Sequence, residues 1–282
     1  MANLLKGKEV AQAIVEDCKN RADALKEKGI TPTLAILRVG ENENDLSYER
    51  GATKRCDEIG IQIKSVALAA DVSPEVFYEQ LDKLNNDDSV HGILMLRPLP
   101  DYLDNEKART SINPAKDVDG CTDGSLNGVF TNSKVGFAPC TAEAAVAILD
   151  HYNIDIKGKN IVVLGRSLVI GKPVAMLLLN RNATVTICHT KTIDTPSIAS
   201  KADIVICATG KMESVNKDYV NPDQTIIDVG ISWNETKGKL CGDVLFEEVE
   251  PIVKNITPVP GGVGSVTTSI LCKHVIEAAE RK

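Results

Sequence analysis

Aromatic residues are scarce in this chain: four Phe, five Tyr and one Trp among 282 positions. Hydrophobic residues nevertheless make up 43%, so the core that this length can bury must be built from Ala, Val, Ile and Leu. Such a composition suits parallel strands covered by helices. A long basic run is also missing, and the net charge is −7, which argues against nucleic acid as a partner. An acidic chain can still bind an anionic ligand, but it needs a local cation to do so. No stretch reaches the apolar length of a membrane span, and MANLLKGKEV has no apolar run behind a basic start, so neither a membrane partner nor a signal peptide is expected. The eight cysteines include no CxxC pair, and His91, His151, His189 and His274 show no ligand spacing. Reduced thiols in a cytoplasmic protein without a metal site are the expectation.

What is present is an alternation of helical and strand patterns, without repeats or low-complexity segments, and this reads as an α/β fold with parallel strands. Residues 7–28 form an amphipathic helix stopped by Gly29, and Thr33 to Gly40 is a buried strand. Residues 45–59 are helical with Gly60 as the stop, QIKSVAL is a strand, and Pro74 opens a further helix. The strand from His91 runs into Arg97-Pro98-Leu99-Pro100, where proline forces the chain out of the sheet. A polar, Gly-rich stretch, 119–136, precedes a helix over 142–153. Then comes a second series, with strands at 161–165, 183–189, 202–210 and 224–231, and a closing helix from about residue 266. The expected organisation is a three-layer α/β catalytic domain over 1–139, completed by 262–282, and a Rossmann-type parallel-sheet domain over 140–261. The C-terminal helix returns to the first domain.

The strand IVVLG delivers Gly165-Arg166-Ser167-Leu168-Val169-Ile170-Gly171 into a helix. A glycine turn at a helix N-terminus offers free N–H groups to a pyrophosphate. Ser167 stands where GxGxxG has its second glycine, so the motif alone equally describes an ordinary βα turn. Three further strands in the right order, and the short-chained turns Ala208-Thr209-Gly210 and Val229-Gly230-Ile231, favour a nucleotide site. An NAD site commonly carries a carboxylate at the end of the second strand. This strand ends Cys188-His189-Thr190-Lys191-Thr192, with a hydroxyl and a cation instead, and Arg166 adds a guanidinium suited to a 2′-phosphate. Lys191 could equally be solvated surface charge.

Ser47-Tyr48 with Lys54 and Cys56 through Gly60, Gly92-Ile93-Leu94 with Pro98-Leu99-Pro100, KDVDG from Lys116, Pro139-Cys140-Thr141, Gly165-Arg166-Ser167 and TPVPGGVG from Thr257 occur in order over nearly the whole chain. Together they resemble the methylenetetrahydrofolate dehydrogenase/cyclohydrolase family of one-carbon metabolism. The resemblance implies a homodimer, tetrahydrofolate derivatives as substrates, NADP as cofactor and a folate cleft between the two domains. It places Thr141, Gly165, Arg166, Ser167, Thr190 and Ile231 against NADP. Tyr48 would stack on the folate ring and Asp119 would accept from adjacent pterin N–H donors, with Leu96, Arg97, Pro98, Pro260, Gly261 and Gly262 bordering the substrate. Without the resemblance, Asp119 reads as a turn residue and Tyr48 as a partly buried amphipathic one.

Two departures from the family pattern bear on the chemistry. The family's catalytic lysine lies four residues after the tyrosine, a position held here by Ala52. Lys54 lies on roughly the opposite helix face. The family's glutamine, two residues before the first proline of PLP, is Leu96. A milder departure is Ser265-Val266 in place of Pro-Met. Hydride loss from a methylene bridge needs alignment and exclusion of water but no base, whereas hydrolysis of the methenyl product needs water deprotonated. The expectation is a dehydrogenase whose cyclohydrolase activity is absent or very weak. The alternatives are an ordinary bifunctional enzyme, with Arg97 or Lys54 replacing the lysine, and a folate- or nucleotide-binding protein without catalysis.

Overall fold

The computed structural model describes residues 1–281. Along the chain run β1 (Asn3–Leu4), α1 (Gly7–Glu27), β2 (Thr33–Val39), α2 (Glu43–Ile59), β3 (Gln62–Leu68), α3 (Pro74–Asn86), β4 (Gly92–Met95), α4 (Asn105–Thr110), α5 (Asp123–Thr131) and α6 (Cys140–His151). They are followed by β5 (Asn160–Leu164), α7 (Gly171–Asn180), β6 (Thr184–Cys188), α8 (Thr195–Ala199), β7 (Ile204–Cys207), β8 (Thr225–Asp228), β9 (Ser232–Asn234), β10 (Lys239–Cys241), α9 (Phe246–Val249), β11 (Asn255–Ile256) and α10 (Thr267–Glu280). The α/β architecture read from the pattern is the one observed. The chain divides into two units, Met1–Gln12 with Thr141–Thr267, and Ala13–Cys140 with Thr268–Lys282.

The second of these units is built on a parallel sheet of order β3-β2-β4. β2 is central, and its TLAILRV is buried at every position but Arg38, as a strand covered on both faces must be. β3 is an edge strand, half-buried at Ile63, Val66 and Leu68 and exposed at its other positions. α3 starts with Ser73 accepting from the Val76 amide and Pro74 in its first turn. Its Phe77, Leu81 and Leu84 pack with Ala35, Leu37, Ile93 and Met95. α2 is capped by Asn42, whose side chain accepts from the Asn44 amide, and is ended by Gly60 in the left-handed region. α10 joins this unit: its Cys272 Sγ lies 3.6 Å from Cys56 Sγ of α2, and Arg21 of α1 forks onto Glu280 at 2.9 and 2.7 Å.

The nucleotide unit carries a six-stranded parallel sheet of order β1-β11-β8-β7-β5-β6. The strand order reverses at β5, which has β6 on one side and β7 on the other, and ligands of open α/β sheets bind at such a switch point. The first dozen residues fall in this unit, not with the folate-binding domain expected over 1–139, because β1 extends the sheet through Asn3↔Asn255 and Leu4↔Ile256. Likewise 262–267 stay with it, leaving 268–282 to the other unit. Elements not foreseen are the short β1, α4, α8, α9 and β11, the antiparallel pair β9–β10, and α5, inside the polar stretch 119–136. Thr122 accepts from the Ser125 amide to start α5, and Asn132 ends it in the left-handed region.

Candidate active site and nucleotide cavity

On α2, Tyr48, Ala52 and Cys56 follow one another at four-residue spacing, which puts them on one face. Ala52 and Cys56 are fully buried. Lys54 is exposed and lies with Arg38, Arg50 and Asp57 around a shallow surface depression. Tyr48 is half-buried, and burial together with the neighbouring Asp119 and Cys140 pushes its phenol well above the usual range.

KDVDG divides its work between support and site. The Lys116 ammonium donates to the carbonyls of Leu84 (3.1 Å) and Asp87 (2.7 Å), tying the loop to the end of α3. The Asp117 carboxylate accepts from the amides of Cys121 (3.0 Å) and Thr122 (2.7 Å) and from the Ser125 hydroxyl (2.6 Å), anchoring the start of α5. Gly120 has φ +73°, and a Cβ there would meet the Ala138 carbonyl carbon at 2.5 Å, so the chain turns sharply after Asp119 against a close neighbour. Burial pushes the Asp119 carboxyl up to about 6, with Asp117 adding to the rise while Arg97, His274 and the Cys140 thiol pull it down. His274 is buried, its Nδ1 lies 2.8 Å from the Val118 carbonyl and its ring stacks on Phe137 at 4.9 Å.

Leu96 is 7% exposed and its amide donates to the Leu37 carbonyl at 2.9 Å, continuing the sheet one residue beyond β4. Arg97 is half-buried and Pro98 exposed. The structure therefore brings Tyr48, Asp119 and Arg97 into one electrostatic neighbourhood with Cys140 and His274. Those last two are not visible from sequence as site residues, because nothing in their spacing joins residues 119, 140 and 274.

In the nucleotide unit, β5 ends at Gly165, with φ +133°, where a Cβ would meet the Ala208 carbonyl oxygen at 2.1 Å. Only glycine lets the chain pass there. Beside it opens a cavity of about 470 Å³ lined by Gly165, Arg166, Ser167 and Thr190, with Leu164, Cys188 and His189 behind them. The facing wall is made by Ala208, Thr209, Lys211, Ser214, Val215 and Tyr219. Thr141 and Ile231 are not in this lining, and Ile231 is exposed. Lys211, Tyr219 and Thr195 line the cavity without a sequence signal. Asp243 accepts from the amides of Thr209 (2.6 Å) and Gly210 (3.1 Å), fixing the loop after β7. Asp228 accepts from the amides of Gly230, Asp243 and Val244, each at 3.0 Å, and burial pushes its carboxyl up to about 7. Pro260 and Gly261 are exposed and Gly262 buried, and the Gly261 carbonyl accepts from the Gly7 amide at 2.8 Å.

A reversed strand order, a glycine turn that touches the neighbouring loop, and a cavity lined by Arg166 and Lys211 describe a Rossmann-type dinucleotide-binding domain. Residues 139–282 match the NAD(P)-binding domain, and residues 5–119 the catalytic domain, of tetrahydrofolate dehydrogenase/cyclohydrolase. The chain belongs to the tetrahydrofolate dehydrogenase/cyclohydrolase family. It is 50% identical over 281 residues to the Bifunctional protein FolD of Clostridium botulinum, with 100% of this chain and 99% of that protein aligned. Among solved structures, the bifunctional methylenetetrahydrofolate dehydrogenase/cyclohydrolase FolD of Campylobacter jejuni superposes with a TM-score of 0.96 at 38% identity, covering 100% of this chain and 99% of that one. The methylenetetrahydrofolate dehydrogenase-cyclohydrolase of Trypanosoma brucei, solved with NADP and an inhibitor, gives a TM-score of 0.91 at 33% identity, covering 99% and 98%.

Proposed function

We propose that this enzyme oxidises 5,10-methylenetetrahydrofolate to the methenyl form with NADP, and that its cyclohydrolase activity is absent or very weak. The observation that carries the second half is the inward face of α2. Ala52, fully buried one turn after Tyr48, stands where the family has its lysine, and Leu96 stands where it has its glutamine. Neither side chain can take a proton from water. Lys54 does not compensate, since it is exposed with other residues of the opposite face. Arg97 is near Asp119, but a guanidinium stays charged near neutral pH and cannot be the base.

Tyr48 and Asp119 are the residues that would hold the folate, the ring by stacking and the pterin N–H groups by the carboxylate. Leu96, Arg97 and Pro98, and the loop Pro260-Gly261-Gly262, would border it. Around NADP the cavity fits on two counts: Gly165 lets the turn after β5 pass against Ala208 with Arg166 and Ser167 in the cavity lining, and among the described residues no carboxylate pairs with Arg166. Ser167 and Thr190 add hydroxyls, and Thr141 and Ile231 complete the proposed set. When bound, the cofactor takes up the hydride. The chain's own task is then to align the methylene carbon and exclude water.

The name carried by the Clostridium botulinum relative favours the bifunctional alternative. One assay separates the two: purified enzyme is given methenyltetrahydrofolate alone and its disappearance is followed. Decay at the buffer rate supports the proposal, and enzyme-dependent hydrolysis comparable to the dehydrogenase rate supports the bifunctional reading. A homodimer and a cytoplasmic location are part of the same proposal. Light scattering checks the first. The eight free cysteines support the second, and among the described residues no helix is long and apolar enough to cross a membrane.

A further inference from the structure

The nucleotide cavity carries cations on two loops that leave adjacent strands. β5 and β7 pair in parallel from Ile161↔Ile204 to Leu164↔Cys207, so the Gly165-Arg166 turn and the Ala208–Lys211 loop emerge side by side at the C-terminal end of the sheet. The backbone beneath Lys211 is fixed: its amide donates to Thr209 Oγ1 at 3.1 Å, and its carbonyl accepts from the Ser214 amide at 3.3 Å. Thr209 Oγ1 and Ser214 Oγ lie 3.0 Å apart. The nearby carboxylates are engaged elsewhere. Asp243 holds the Thr209 and Gly210 amides, and Glu213 pairs with Lys237. Among the described residues no carboxylate pairs with either Arg166 or Lys211.

Arg166 and Lys211 are both exposed and line one cavity, an arrangement that suits a ligand with anionic groups even in a protein of net charge −7. The cavity runs from the Gly165-Arg166-Ser167 turn to His189 and Thr190 after β6, the strand end at which a Rossmann site holds the adenosine ribose, while Gly171 and Lys172 at the start of α7 do not line it. No carboxylate is among the residues lining the cavity beside Thr190. We propose that Lys211 is a specificity-determining residue whose ammonium binds the 2′-phosphate of the adenosine ribose, beside Arg166. The assignment rests on the NADP reading above and extends it, by making the preference depend on two cations from different loops.

The test compares adenosine 2′,5′-bisphosphate with adenosine 5′-monophosphate, which differ only in the 2′-phosphate, by titration calorimetry on the full chain. A charge-assisted hydrogen bond of the usual strength predicts that Lys211→Met binds the bisphosphate about 10- to 100-fold more weakly. Binding of the monophosphate should change less than about 2-fold, and Lys211→Arg should stay close to wild type. An unchanged bisphosphate affinity, or an equal loss for both nucleotides, overturns the proposal. So does a wild type that binds both nucleotides alike. The measurement needs no folate and no turnover: if Lys211 fails this test while wild type still oxidises methylenetetrahydrofolate, only the Lys211 assignment falls. If Lys211 passes and turnover is missing, only the catalytic reading falls.

Discussion

Introducing the lysine and glutamine together, as Ala52→Lys with Leu96→Gln, is the perturbation that tests the proposed loss of hydrolysis most directly. Ala52 has no exposed surface, so a lysine side chain must displace its neighbours or extend along the α2 face towards Tyr48. Overfilling a packed site costs about 1–3 kcal/mol. At roughly 2–4 °C per kcal/mol for a chain of this size, the melting temperature should fall by about 2–12 °C, which leaves a folded enzyme to assay. A positioned base contributes about a hundred- to ten-thousand-fold. Wild type should therefore let methenyltetrahydrofolate decay at its buffer rate, and the double variant should speed that decay by a factor in this range while keeping its dehydrogenase activity. Ala52→Lys alone should gain less, because Leu96 offers no oxygen to hold the ammonium. The reasoning is refuted if wild type hydrolyses the methenyl compound about as fast as it forms it. It is refuted equally if a folded, dehydrogenase-active double variant shows no gain.

Arg166→Ala should raise the KM for NADP about 10- to 100-fold and that for NAD far less, measured by steady-state kinetics with each cofactor; equal effects would remove Arg166 from the 2′-phosphate. The Asp119 carboxyl, raised to about 6, must be ionised to accept pterin N–H groups, so kcat/KM should decline as pH falls through about 6, and Asp119→Asn should lower kcat/KM and abolish that inflection. The Asp228 carboxyl, about 7 when folded against an ordinary 3.8, keeps a proton that the unfolded chain releases. The folded state binds more protons across that interval, so stability from this group should fall as pH rises from about 4 to about 7; denaturant midpoints that stay flat or rise between pH 5 and pH 8 would contradict this. Gly120→Ala should cost at least about 2 kcal/mol in a denaturant titration, since it adds a Cβ 2.5 Å from the Ala138 carbonyl carbon at a positive φ.

The elements read well from the sequence were those with a strong period and clear ends. α2, expected over 45–59, runs Glu43–Ile59 because Gly60 ends it in the left-handed region. The buried β2, β5 and β7 are nearly continuous apolar runs. α5 was hidden, since Gly124, Gly128 and Asn127 depress its helix propensity and only the Thr122 cap and its packing carry it. β1 is two residues long and has no period to detect. At the candidate site, Tyr48 and Asp119 could be named through motifs, but their neighbours could not. Cys140 and His274 approach Asp119 only because the loop after α5 and the helix α10 bring them there, and Lys211 reaches the cavity only through the Asp243-held loop. The burial of Ala52 beside the exposure of Lys54 could be foreseen from helical phase alone.

The pairing of β1 with β11 also has a consequence for synthesis on the ribosome. Asn3 leaves the exit tunnel long before its partner Asn255, which lies 252 positions later in the chain. At about 5–20 residues per second, the leading segment waits on the order of tens of seconds before the strand that receives it exists. During that interval, the sheet edge at β8 is equally without β11, which pairs it through Ile256↔Ile226. The nucleotide unit therefore cannot close vectorially behind the growing chain, and its last two sheet positions are filled only once Asn255 and Ile256 have emerged.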